Sequence, residues 1–140
     1  MNRSEAVTKP PMTRLDLTIV DGALVHALLT FQNHQNQPFY LLRDYVEPNA
    51  QVYGNWFKVR ANGSPLGFMG RMIKRAPAQE SDFIALPPGA AATGRFVLSH
   101  FYAIPLGVAL EAQFSAFNPS RGDQPLKKIE SNIAQIVGRQ

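Results

Sequence analysis

The residues best suited to chemistry are spaced too widely to act together. His26, His34 and His100 lie 8 and 66 residues apart. Zinc ligands on one local element usually fall about three to six residues apart, so no two of these histidines form a paired site by spacing. Ser, His and Asp all occur, but no Gly-x-Ser-x-Gly elbow presents a nucleophile. Gly63, Gly67 and Gly70 punctuate a hairpin with no helix after it, which is no phosphate cradle. The acid pairs Asp44/Glu47 and Glu80/Asp82 read as solvated loop carboxylates. There is no cysteine, so disulfides and thiolate metal sites are excluded while the compartment stays open. The expectation is a chain without catalytic residues, cofactor or metal.

Recognition chemistry is better represented. Tyr45, Tyr53 and Trp56 stand close to Lys58 and Arg60, and aromatics with arginine dominate binding hot spots. These five are the candidate partner-binding residues. Trp56 fits a core position equally well, and the sequence leaves that choice open. One Trp and scattered Tyr residues are thin support for a sugar-stacking platform. The net charge of +4 comes from 14 basic and 10 acidic residues. The densest basic cluster, Arg71, Lys74 and Arg75, falls short of a nucleic-acid footprint and reads as a solvated strand edge.

No stretch reaches the roughly 18 apolar residues of a membrane span. Met1 to Pro11 is polar and lacks the apolar centre of a secretory signal. The expectation is a cytoplasmic protein unless the chain is processed or trimmed. Residues 1–13 read as a flexible arm and 14–140 as a single domain, long enough to bury a core.

The elements that would position these residues are strands. Eleven prolines and ten glycines are scattered singly, which suits many short strands better than long helices. Leu15, Leu17 and Ile19 alternate with Asp16, Thr18 and Val20 before Asp21-Gly22, and Ala23 to Gln32 follows, a hairpin signal. Ala23 to Gln32 is apolar on both faces and reads as a central strand. Phe39 to Arg43 is a short strand, and Val46 to Asn55 an irregular connection. Trp56 to Ala61 turns at Asn62-Gly63 and is expected to return as Leu66 to Ile73. Phe83 to Leu86, Ala92 to Leu98 and Gly107 to Asn118 are further strands, with one helical turn after Ser99. Leu126 to Val137 fits a helical stripe through Leu126, Ile129, Ile133 and Ile136, and also a strand through Ile129, Ser131, Ile133, Gln135 and Val137. Eight or nine strands at this spacing predict an all-β fold, an antiparallel immunoglobulin-like β-sandwich of about eight strands.

Three pieces in order carry a family likeness: Lys74-Arg75, then Asp82-Phe83-Ile84-x-Leu86-x-Pro88-Gly89, then Leu98-Ser99-x-x-Tyr102. With Asn33 at a strand end and Gly67-Phe68-Met69-Gly70 between, they resemble the non-catalytic N-terminal β-domain of deuterolysin-type (peptidyl-Lys metalloendopeptidase-like) zinc proteases, over about Leu15 to Val137. The His-Glu-x-x-His helix of the catalytic domain is absent from this sequence. The resemblance implies a β-sandwich, a closing strand over 126–137, and an accessory domain standing without its protease. Phe83, Ile84 and Leu86 would insert between sheets, Pro88-Gly89 would turn, and the Tyr102 hydroxyl would meet a backbone group at a sandwich corner.

The function expected is that of a non-enzymatic protein-binding module. It would be protease-associated, or an inhibitor or immunity-type protein, with a protease or secreted effector as partner. The alternatives are a self-associating structural or surface subunit forming homo-oligomers, and a small enzyme with an unrecognised site.

Overall fold

The computed structural model describes residues 9–20, 24–46, 54–70, 77–105 and 107–137. Among them the regular structure is strand, with three single 3-10 turns and no α-helix. The Asp21-Gly22 turn, most of the Val46 to Asn55 connection and the Arg71, Lys74, Arg75 cluster lie outside the described residues.

One sheet consists of β1 (Met12–Val20), β2 (Leu24–Gln32) and β7 (Ala91–Val97), antiparallel in the order β1-β2-β7. The apolar alternation explains it. Val25, Ala27, Leu29 and Phe31 are buried, and the opposite face of β2 is half-buried, as expected for a strand flanked on both sides.

Two short strands, β3 (Phe39–Leu42) and β6 (Phe83–Leu86), form a separate ribbon. A larger antiparallel sheet is built on β4 (Phe57–Ala61), β5 (Ser64–Pro65), β8 (Ala109–Asn118), β9 (Lys127–Glu130) and β10 (Ala134–Val137). Its order is β10-β8-β4-β5, with β9 beside the second half of β8. Leu110, Ala112, Phe114, Ala116 and Asn118 of β8 are all buried.

The two large sheets share one core. Phe31 meets Phe114 edge-on at 5.8 Å, and Phe57 meets Phe96 at 5.6 Å. Each fully buried aromatic or branched side chain contributes roughly 1.5–3 kcal/mol of transfer free energy, and the edge-to-face geometry adds about 0.5–1.5 kcal/mol per pair.

The Asn62-Gly63 turn forms, with φ of 50° and 81°, the left-handed pair that a two-residue hairpin requires. The returning strand is much shorter than the expected Leu66 to Ile73. Pro65 has no N–H to extend the ladder. The Leu66 N–H still reaches the Val59 carbonyl at 2.8 Å. Thereafter Phe68 bridges to Tyr102, and the Met69 N–H bonds to the Phe101 carbonyl. Residues 71–73 lie outside the described set.

The ambiguous C-terminal segment is strand, not helix. Glu130 stands opposite Ser115 while Ala134 stands opposite Ala112. Four steps along β9–β10 therefore match three along β8, which defines a β-bulge at 131–133.

Candidate functional site

The sequence candidates separate into core and surface. Tyr45 is 3% exposed and Trp56 8%. Their rings meet edge-on at 4.9 Å; Tyr45 also packs on Phe114 at 5.2 Å, and Trp56 on Phe96 at 6.1 Å. The Tyr45 hydroxyl donates to the Phe117 carbonyl at 2.8 Å. Both residues pack in the core, which corrects the contact role expected of Tyr45 and decides for Trp56 the choice the sequence left open. Trp56 precedes β4, and its N–H bonds to the Gly54 carbonyl at 2.9 Å in a tight turn. That turn takes it out of the strand alternation. Tyr53 lies outside the described residues.

Lys58 and Arg60 are exposed on the outer face of β4, because Phe57, Val59 and Ala61 take the inner one. Their neighbours follow from the register: Lys58 stands opposite Gln113, Ser115 opposite Glu130, and Phe117 opposite Lys128. These outward side chains form one surface. It carries an aromatic that sequence reasoning did not single out, Phe117, which is 56% exposed. The signal was present: an odd-numbered position on β8 where Glu111, Gln113 and Ser115 are polar.

Charges on this face are linked through Glu130. Lys58 lies 4.0 Å and Lys128 3.5 Å from its carboxylate, and the Ser115 hydroxyl donates to it at 3.2 Å. The Ser115 hydrogen bond, then the Lys128 charge, hold its pKa below the usual carboxylate value. Exposed pairs of this kind add little stability. They arrange charge around Phe117.

The histidines do not converge in the fold. His26 is half-buried on β2 opposite Thr18 and Val97, and His34 and His100 are exposed in separate connections. Among the described residues no group of three His, Cys, Asp or Glu side chains could hold a metal.

Buried amides are used as backbone substitutes. Asn118 accepts from the Leu42 N–H and donates to the Tyr40 carbonyl, and Gln124 accepts from the Tyr40 N–H and donates to the same carbonyl. Together they complete the outer edge of β3. Asn33 donates to the Gln37 and Leu86 carbonyls and accepts from the Gln35 N–H, which ties the loop after β2 to the turn at Gly89. An open hollow of about 710 Å³ lies between Lys9–Met12 and this loop. At the bulge, Ser131 replaces a ladder acceptor for the Phe114 N–H, and Asn132 bonds the N–H of Leu15 at 2.8 Å and its carbonyl at 3.2 Å. Asn132 thus fastens β1 of one sheet to the last strand of the other. Asn132→Ala is expected to cost about 1–2 kcal/mol, read as a lower urea midpoint, with Gln135→Ala nearly neutral.

These features define an all-β protein with a continuous aromatic core and a charged outer face bearing one exposed phenylalanine. Neither a scan against family models nor a search of curated proteins returns a match. No helix among the described residues is long and apolar enough to cross a membrane.

Proposed function

We propose that the chain is a non-enzymatic protein-binding module on an immunoglobulin-like β-sandwich, related to the accessory domain of deuterolysin-type proteases. Support for the fold comes from topology. The order β1-β2-β7 corresponds to A-B-E, and β4-β8-β9/β10 to C-F-G. The Tyr102 hydroxyl donates to the Phe57 carbonyl at 3.0 Å, a long-range bond that ties the turn before β8 to β4.

The single observation that carries the binding role is Phe117, an exposed aromatic on a rigid strand opposite Lys128, with Lys58 reaching the Glu130 carboxylate on the same face. A large apolar ring held in water on a paired strand is a natural anchor. The partner would offer an apolar socket with an acidic rim, and the class proposed is a protease or secreted effector, bound as an inhibitor or immunity-type protein binds its target.

The test is affinity capture of candidate proteases on the immobilised chain, followed by titration. Phe117→Ser is expected to weaken binding at least about tenfold, with Lys58→Glu and Arg60→Glu slowing association. Folding stability should move by no more than about 0.5 kcal/mol at these exposed sites. Equal affinity of wild type and Phe117→Ser for every captured protein defeats the proposal.

A further inference from the structure

The sequence holds one Asn-Gly pair, Asn62-Gly63, and it carries chemistry that the binding reading does not use. An asparagine side chain is open to attack at Cγ by the nitrogen of the next peptide, and a following glycine leaves that nitrogen unshielded. Here the turn tip faces water. Asn62, Gly63 and Ser64 are exposed, and a Cβ built on Gly63 would meet nothing within 4 Å. The fold opposes the attack through the Asn62 amide. Its Oδ1 accepts from the Ala109 N–H at 3.1 Å, and the Asn62 N–H donates to the Ala109 carbonyl at 2.8 Å. Side chain and backbone together add one rung to the β4–β8 ladder. Ala109 lies on the β8 side of β4, whereas Gly63 begins the turn to β5 on the other side. Ring closure needs the Asn62 Cγ over the Gly63 nitrogen, so the bond to Ala109 must break first.

We propose that Asn62 is a site of spontaneous deamidation and isomerisation, latched by the Ala109 N–H while β4 is paired with β8. When the latch opens, the Gly63 nitrogen gives its proton to solvent base and bonds to the Asn62 Cγ. The Cγ–Nδ2 bond breaks, and Nδ2 takes a proton from water and leaves as ammonia. The five-membered succinimide then takes up one water at either carbonyl. The products are aspartate and isoaspartate at position 62. Isoaspartate places an extra methylene in the main chain, which the two-residue left-handed turn cannot hold. Either product adds a negative charge beside Arg60, whose guanidinium donates to the Gly63 carbonyl at 3.3 Å. This chemistry does not depend on what the chain binds.

The latch is a solvent-exposed bond at the end of its ladder, so it opens locally without global unfolding. The protein is incubated at mildly alkaline pH and followed by peptide mass spectrometry with enzymatic detection of isoaspartate. Asn62 is expected to react ahead of every other asparagine. The folded chain should react at least about tenfold more slowly than the chain in concentrated guanidinium chloride, because only the open hairpin is competent. Ala109→Pro removes the latching donor at the first residue of β8, a strand position that tolerates proline. It should bring the folded rate up toward the unfolded one and leave the unfolded rate unchanged. Gly63→Ala should slow the unfolded chain by shielding the nitrogen. Amide exchange in wild type gives a second readout that needs no variant: the protection of the Ala109 N–H should match the slowing of the reaction within about fivefold, since one opening governs both. A folded rate equal to the unfolded one, another asparagine reacting first, a folded Ala109→Pro that reacts no faster than wild type, or Ala109 protection that departs from the slowing overturns the proposal.

Discussion

Replacing Gly94 with alanine is expected to cost about 3 kcal/mol of folding stability, a large fraction of what a domain of this size possesses. The position is buried on β7, beneath the turn at Arg43–Tyr45. A Cβ built on Gly94 would overlap the Tyr45 carbonyl oxygen and come within 3.2 Å of the Val46 Cα. Backbone has little room to yield here. The Tyr45 ring is wedged against Phe114 and Trp56, and its hydroxyl is bonded to the Phe117 carbonyl. Moving the turn would break that packing, and the strain would reach the strand that carries Phe117. Gly94→Ala should therefore lower the denaturant midpoint sharply. Thr93→Ala, next to it but outward-facing, should change stability by no more than about 0.5 kcal/mol. A Gly94→Ala loss below about 1 kcal/mol would mean that the turn is free to shift.

The glycine at 94 was not legible as a close approach, because sequence cannot say which segment crosses over a strand. What was legible came from alternation and turn chemistry. Alternation placed strands at β2, β4 and β8, and Asn62-Gly63 predicted its turn. The C-terminal segment shows where alternation fails. Read as one strand, Ile129, Ser131, Ile133 and Val137 share a face. Ile129 and Ser131 are indeed buried, but Ile133 is 59% and Val137 70% exposed, while Ala134 lies inside. The bulge at 131–133 inserts one residue and inverts the parity beyond it. No propensity marks it in advance, because Ser131 and Asn132 act through long-range bonds to Phe114 and Leu15. The same reason hides Asn33, Asn118 and Gln124. Polar residues near turns read as solvated, and only the fold shows that they replace missing backbone partners. Tyr45 misled in the opposite sense: it was grouped with contact residues, yet the 3-10 turn at Arg43–Tyr45 carries its ring into the core.

Tyr102→Phe tests the corner that joins the last 3-10 turn to β4. The phenol is fully buried, and its oxygen lies 3.0 Å from the Phe57 carbonyl and 2.7 Å from the Asn55 side-chain oxygen. One hydroxyl proton cannot serve both acceptors well. Turning the Asn55 amide over lets its NH2 donate to the phenol while the phenol donates to Phe57, which satisfies every group. Removing the hydroxyl leaves the Phe57 carbonyl without a side-chain partner, at an expected loss of about 1–3 kcal/mol near neutral pH. The pH dependence separates this from a simple packing change. Burial pushes the Tyr102 pKa up to about 12, against the smaller opposing effect of the Phe57 hydrogen bond, whereas an unfolded tyrosine titrates near 10. Below pH 10 the phenol is neutral in both states and its contribution is fully present. Between about 10 and 12 the unfolded chain releases the proton and the folded chain holds it, so stability falls as pH rises. Each unit of difference is worth about 1.4 kcal/mol, so wild type should lose about 2–3 kcal/mol across that window from this residue. Tyr102→Phe begins lower and has nothing to ionise there, so the two stability curves should converge toward pH 12. Curves that stay parallel would show that the phenol already titrates near its ordinary value, and that the corner is open to water.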